Sequence, residues 1–197
     1  MGSFHARAVE TPIESPSFES VSSLLPDEFR ALFRGHPVGV AVITADAGDG
    51  PVALTASSVA SVSAEPPLLI FSVSAFSSAS DVLARAETVV VHLLDAKDLA
   101  VAKLGAASGV DRFADTAQWS RLETGEIVYR GVRAWVRCAI VNRMDAGTAT
   151  VIAAHALESH IERDVQPGVA GDALVYHNRT WHQLGEHSLI DRATPNA

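Results

Sequence analysis

The sequence predicts a mainly β protein with short helices, folded as an antiparallel barrel. Two observations carry that expectation: about seven strand-like runs follow one another closely, and only short helical segments interrupt them. A doubly wound sheet would place a longer helix after nearly every strand.

Pro26-Asp27-Glu28 followed by Phe29, Leu32 and Phe33 predicts a short amphipathic helix, with acidic residues in its first turn and Gly35 stopping it. Val38 to Thr44 is a β-branched run, Asp46-Ala47-Gly48-Asp49-Gly50 is turn-rich, and Val52 to Ser58 begins a second strand, so the three form a hairpin. Pro66-Pro67 punctuates the chain before Leu68-Leu69-Ile70-Phe71-Ser72-Val73, whose unbroken apolar run predicts a strand buried on both faces. Ser80 is placed to cap a short helix from Asp81 to Ala86. Thr88 to Leu94 forms a fourth strand, and Asp95 caps a helix reaching about Ala106.

After an irregular stretch over 108–125, Trp135 to Arg143 alternates as a strand with Val136, Cys138 and Ile140 on one face. Asp145-Ala146-Gly147 turns it into a long strand from Thr148 to Glu158. Val175-Tyr176 and Thr180 to Leu184 are short closing strands around Asn178-Arg179.

The 197 residues are 48% apolar and 19% charged, which suits one domain with a full core. That domain is expected over 23–187, with an N-terminal arm over 1–22 and a tail over 188–197, because neither end shows apolar periodicity. A formal net charge of −8 disfavours nucleic acid and anionic membranes, both of which need a basic footprint. Neither a signal-peptide core nor a run of roughly 18 apolar residues is seen, so a cytoplasmic protein is expected. Cys138 is the single cysteine; it reads as a buried small hydrophobe before a reactive thiol, and it excludes an internal disulfide and a cysteine-based zinc site.

The nucleotide-binding, nucleophile-elbow and zinc-protease signatures are absent. His155 and His160, like His177 and His182, are five apart, a spacing that separates each pair on a continuous strand, so no metal site is expected. His155 by itself reads as a hydrogen-bonded strand histidine or a catalytic one. Thr55-Ala56-Ser57-Ser58 and Ser77-Ser78-Ala79-Ser80 carry more: hydroxyls and loop amides satisfy phosphate and polyol oxygens without a basic domain. The same clusters also read as β-compatible small residues and turn formers. Arg112 offers a guanidinium to a phosphate, and Trp119 or Trp181 could cover a flat ring; each is also a common structural residue.

In order, these segments resemble the flavin reductase family, the FMN-binding split β-barrel proteins that supply reduced flavin to two-component monooxygenases. The resemblance rests on the strand Val38–Thr44, Thr55–Ser58, Ser61-Val62-Ser63, Pro66-Pro67, Ser77–Ser80, Val91-His92-Leu93-Leu94, Arg112-Phe113 before Trp119, and Tyr176, Arg179, Trp181 and His182. It implies FMN or FAD as cofactor and NADH or NADPH as co-substrate, with transfer of reduced flavin to a partner monooxygenase by a homodimer. It further implies that Thr55, Ala56, Ser57 and Ser58 line the flavin, that Ser78, Ser80 and Arg112 hold phosphate, and that His92, Phe113 and Arg179 lie beside them. One departure stands out: where the family commonly carries Gly-Asp-His or Gly-Thr-His, with the histidine on the nicotinamide side, this chain has Gly147-Thr148-Ala149. His155 and His182 are the candidate substitutes. The alternative that Ala149 opens is a flavin-binding protein served by another electron donor.

Overall fold

A computed structural model of the chain describes residues 22–166 and 171–190. Residues 1–21 of the expected arm, and the tail beyond residue 190, lie outside the described residues. The chain divides after Phe33 into two units. The first carries most of helix α1 (Pro26–Arg34), with Asp27 and Glu28 in its first turn and the Phe29 and Phe33 rings 4.7 Å apart. The Glu28 carboxylate accepts the Leu25 amide at 2.9 Å, satisfying an N–H donor at the helix start.

The second unit is built on antiparallel pairing throughout. Strands β1 (Val38–Gly39) and β2 (Ala41–Asp46) are one extended run interrupted at Val40. The chain continues through β3 (Pro51–Ala56), β4 (Ala60–Ala64), β5 (Pro67–Ser74), helix α2 (Ser80–Arg85) and β6 (Thr88–Leu93). A 3-10 turn at Ala96–Asp98 leads into helix α3 (Leu99–Ala106). Strands β7 (Trp119–Arg121), β8 (Ile127–Tyr129), β9 (Ala134–Ala146), β10 (Ala149–Ile161), β11 (Leu174–His177) and β12 (Thr180–Gln183) follow. The main sheet has seven strands in the order β3-β2-β6-β9-β10-β5-β4, beside a β1-β11-β12 sheet and the β7-β8 hairpin. Val40 marks the crossing between the first two: its amide donates to Leu174 and its carbonyl accepts from Leu94.

Strand alternation creates two cores. Ala41, Ile43 and Ala45 of β2 and Val89 and Val91 of β6 pack with Phe71, Leu83, Cys138 and Ile152. The opposite faces, with Val40, Val42 and Leu94, pack with Ala102 of α3, Tyr129 and Leu174. Burial pushes the Cys138 thiol up to about 11 and the Tyr129 hydroxyl up to about 12.

Most expected elements are present, and the differences have physical reasons. The Leu68–Val73 strand is not buried on both faces: Phe71 and Val73 are buried, whereas Leu68, Leu69 and Ile70 are half-buried. The helix at Ser80 is capped differently. Ala79 is the N-cap without a side-chain bond, while the Ser80 hydroxyl donates back to the Ser77 carbonyl at 2.8 Å. The irregular stretch contains β7, which pairs with β8. Both histidine pairs depart from the continuous-strand premise. A register shift between Ala156 and Glu158 sets His155 opposite Ala139 and His160 opposite Trp135, positions on one face of β9. His177 and His182 flank a turn, and their rings lie 5.6 Å apart.

Asp95 caps the turn before α3 as expected, accepting the Lys97 amide at 2.9 Å. It also belongs to a network: Arg163 donates to Asp95 at 2.8 Å and to both oxygens of Asp98 at 2.7 and 2.8 Å. Burial pushes the Asp95 carboxyl up, but the Arg163 and Lys97 hydrogen bonds outweigh it and hold the group below its usual range.

His92 is fully buried, its Nδ1 at 2.9 Å from the Val42 carbonyl and its Nε2 at 3.1 Å from the Tyr129 amide. The carbonyl needs a donor and the amide an acceptor, so the ring is neutral with its proton on Nδ1. Burial depresses its pKa to about 4 against the Val42 bond. The unfolded chain therefore binds a proton that folded His92 refuses between pH 6.5 and about 4. From this residue, stability is expected to be level above that window and to fall by up to about 3 kcal/mol on acidification through it. Denaturant titrations across that range check this, and His92→Asn is expected to lose that part of the slope.

Candidate functional site

The Thr55–Ser58 cluster lies where β3 leaves the sheet. Its four residues face different surroundings. The Thr55 hydroxyl donates to the Ala102 carbonyl of α3 at 2.6 Å. Ala56 is buried in the barrel core. Ser57 is exposed. The Ser58 hydroxyl accepts the Ser72 amide at 2.9 Å and donates to the Ser72 carbonyl at 3.3 Å, clipping the end of β3 to β5.

A cleft of about 220 Å³ opens beside this cluster, lined by Val40, Thr55, Ser57, Ala106, Tyr176 and Trp181. Val40 comes from the sheet crossing and Ala106 from the last turn of α3. Tyr176 and Trp181 come from the β11–β12 hairpin, their rings 4.8 Å apart at 59°. Asn178 and Arg179 turn that hairpin in left-handed conformations, with φ of 47° and 62°. The result is a small cavity with an aromatic wall facing a hydroxyl and backbone wall, suited to a flat heteroaromatic ring.

Arg112 reaches the same end of α3: its Nη2 donates to Ala107, the residue after Ala106, at 2.6 Å. Its Nε is buried and, among the described residues, has no acceptor. An anionic oxygen would satisfy that donor, which is the chemistry a phosphate brings. Phe113 stacks on Tyr129 with centroids 6.0 Å apart and 10° between planes, and meets Trp119 edge-on. The Trp119 indole donates to the Phe113 carbonyl at 2.9 Å.

Thr55, Ser57 and Arg112 are thus brought to one end of α3. The second serine cluster is organised separately. Its loop is tied internally by Ser77 and Ser80, and Ala75 just before it donates to Thr148 at 2.9 Å. Ser78 is exposed, and among the described residues no hydrogen bond joins this loop to Thr55–Ser58 or Arg112. Ala149 opens β10 half-buried opposite Ser74, beside that loop. His155 is half-buried opposite Leu68 of β5. His182 is exposed next to Trp181, and Arg179 is exposed in the hairpin turn.

One expected contact is corrected. His92 is enclosed with both ring nitrogens engaged by backbone, so it has no nitrogen to present to a ligand. Sequence reasoning passed over Val40, Ala106 and Tyr176 as cleft residues. Val40 and Ala106 are apolar and small and give no chemical signal, Tyr176 reads in sequence only as part of a closing strand, and the cleft forms where three elements meet.

This antiparallel split barrel with its ring-sized cleft matches a known class. The family described as flavin reductase like domain matches residues 33–185. An NADH:FMN oxidoreductase of Rhodococcus qingshengii is 35% identical over 174 residues, covering 88% of this chain and 90% of that protein. The crystal structure of a flavin reductase domain protein from Arthrobacter sp. FB24 aligns with TM-score 0.74 and 28% identity, over 81% of this chain and 95% of that one. BorF, the flavin reductase component of a bacterial two-component tryptophan halogenase, aligns with TM-score 0.70 and 30% identity, over 81% and 98%. The chain belongs to the flavin reductase-like family.

The Ser58 clip makes its own prediction. Ser58→Ala removes both bonds to Ser72 and is expected to lower stability by about 1 kcal/mol, read as a lower urea midpoint at unchanged slope.

Proposed function

We propose that this protein is an NADH-dependent flavin reductase acting on FMN or FAD and passing reduced flavin to a partner oxygenase or halogenase. The observation that carries the reading is family membership over nearly the whole barrel, with a ring-sized cleft between the Thr55–Ser57 segment and the Tyr176–Trp181 pair. The similarity to an NADH:FMN oxidoreductase supports the donor, and that to BorF supports a two-component partner.

When bound, the flavin supplies the redox chemistry, accepting hydride from the nicotinamide. The protein's residues bind, orient and exclude water. Tyr176 and Trp181 offer a ring-covering wall, Ser57 offers hydrogen bonds to the flavin edge, and the aromatic and apolar lining keeps water from the reacting faces. Arg112 is the phosphate donor in this reading, because its buried Nε lacks an acceptor among the described residues. Ser78 is open to a further contact, whereas the Ser80 hydroxyl is already engaged by Ser77.

A second reading, a flavin carrier served by a different electron donor, is favoured by Ala149, which has no ionisable group to set beside a nicotinamide. One assay separates the two: purified protein with added FMN or FAD, followed by loss of NADH and NADPH absorbance. Catalytic NADH consumption supports the reductase. Tight flavin binding without consumption supports the carrier. Arg112→Met is expected to weaken FMN binding about tenfold while leaving riboflavin binding nearly unchanged, since only FMN carries the phosphate. Fluorescence titration with both flavins measures this.

A homodimer belongs to the same proposal. Val62 of β4, Met144 of β9 and Leu157 and Ile161 of β10 leave large side chains exposed along the half of the sheet that ends in β4. Light scattering is expected to give twice the chain mass. Among the described residues no helix is long and apolar enough to cross a membrane, and the use of NADH fits a cytoplasmic location.

A further inference from the structure

Thr55 is the residue of the first hydroxyl cluster that both lines the cleft and touches the element behind it. Its hydroxyl donates to the Ala102 carbonyl of α3 at 2.6 Å. Three residues later the same helix carries Gly105, which is buried. A Cβ built there would lie 2.5 Å from Thr55 Oγ1, 3.2 Å from the Thr55 amide nitrogen and 3.2 Å from Val42 Cγ2. The helix therefore rests on β3 and β2 at the closest approach a backbone permits, and only glycine allows it. Ala106, the next residue, forms the cleft wall on the α3 side, with Tyr176 and Trp181 also lining the cleft.

We infer that Thr55 is a positioning residue: with Gly105 it fixes the seating of α3, and through Ala106 the width of the flavin cleft, and its hydroxyl serves the helix and not the flavin. The inference rests on the flavin-reductase reading for the identity of the ligand, and on the geometry alone for the mechanics. The hydroxyl has one proton to donate, and the Ala102 carbonyl takes it, so no proton is left to give to a flavin oxygen or nitrogen. Displacing α3 outward by even a few tenths of an ångström changes how tightly a flat ring is held, because dispersion contacts fall off steeply with a gap.

The test uses the full chain and four variants: Thr55→Val, which keeps the shape and loses the donor, Thr55→Ser, which keeps the donor, Gly105→Ala, and the Thr55→Val/Gly105→Ala double. Each is titrated with FMN by flavin fluorescence after its fold is checked by circular dichroism, and the unliganded proteins are compared by amide hydrogen exchange over α3. Thr55→Val is expected to raise the FMN Kd about tenfold and to speed exchange in the last turn of α3, and Thr55→Ser is expected to restore both. Gly105→Ala is expected to reproduce the effect from the helix side, with the Thr55 side chain unaltered and the new methyl pressing on its Oγ1, and the double variant to be no worse than the weaker-binding single, because both act through one contact. Should Gly105→Ala fail to fold, the Val and Ser pair decides. Loss of FMN affinity with unchanged α3 exchange would overturn the inference and make the hydroxyl a direct ligand. Unchanged affinity in Thr55→Val would overturn it as well. Failure of the wild-type protein to bind FMN would sink the functional reading instead, and the exchange comparison would still decide whether Thr55 seats the helix.

Discussion

Burial of β2 on both faces is the constraint on which the rest of the fold depends. Ala41, Ile43 and Ala45 close the barrel interior, while Val42, with Val40 just before it, supports the outer layer. Because side chains alternate, one strand ties two cores together, and neither can shift without the other. The backbone break at Val40 then lets the same run belong to two sheets. Everything that forms the cleft is referred to this strand: α3 seats against Val42 through Gly105, the hairpin carrying Trp181 pairs through β11 with β1, and Thr55 sits opposite Val42.

His92 extends that arrangement to a third strand. A polar side chain is costly in such a position unless both nitrogens are satisfied, and here β2 supplies the acceptor while β8 supplies the donor. The ring thereby fastens β8 to the outer face of the sheet, where Tyr129 and Phe113 stack and hold the Arg112 stretch. A residue that reads as a ligand contact in sequence is a structural rivet in three dimensions.

What the sequence made legible follows from periodicity and turn chemistry. The Val38–Thr44 run, the Asp46–Gly50 turn, the Asp95 cap and the Gly147 turn all announce themselves locally, and the long β9–β10 ribbon lies almost where alternation put it. Strand β4 did not, because Ala60–Ala64 is small, polar and mostly exposed. Strand parity does not hold for either histidine pair, since a bulged residue lies between His155 and His160 and a hairpin turn between His177 and His182, and neither is visible in the spacing alone. The cleft was half legible. Thr55 and Ser57 were visible as a hydroxyl cluster, yet nothing local says that one hydroxyl faces a helix, another clips a strand and a third stays free. Those assignments come from elements distant in sequence meeting at one place.

Cys138 carries a practical consequence. It is the single thiol of the chain, it is fully enclosed in the barrel, and burial keeps it protonated. A surface cysteine introduced at any chosen position would therefore be the sole reactive sulfur in the folded molecule. Dyes, spin labels or crosslinkers can be attached one at a time without first removing the native thiol, so the protein is already prepared for distance measurements within itself or against a candidate partner.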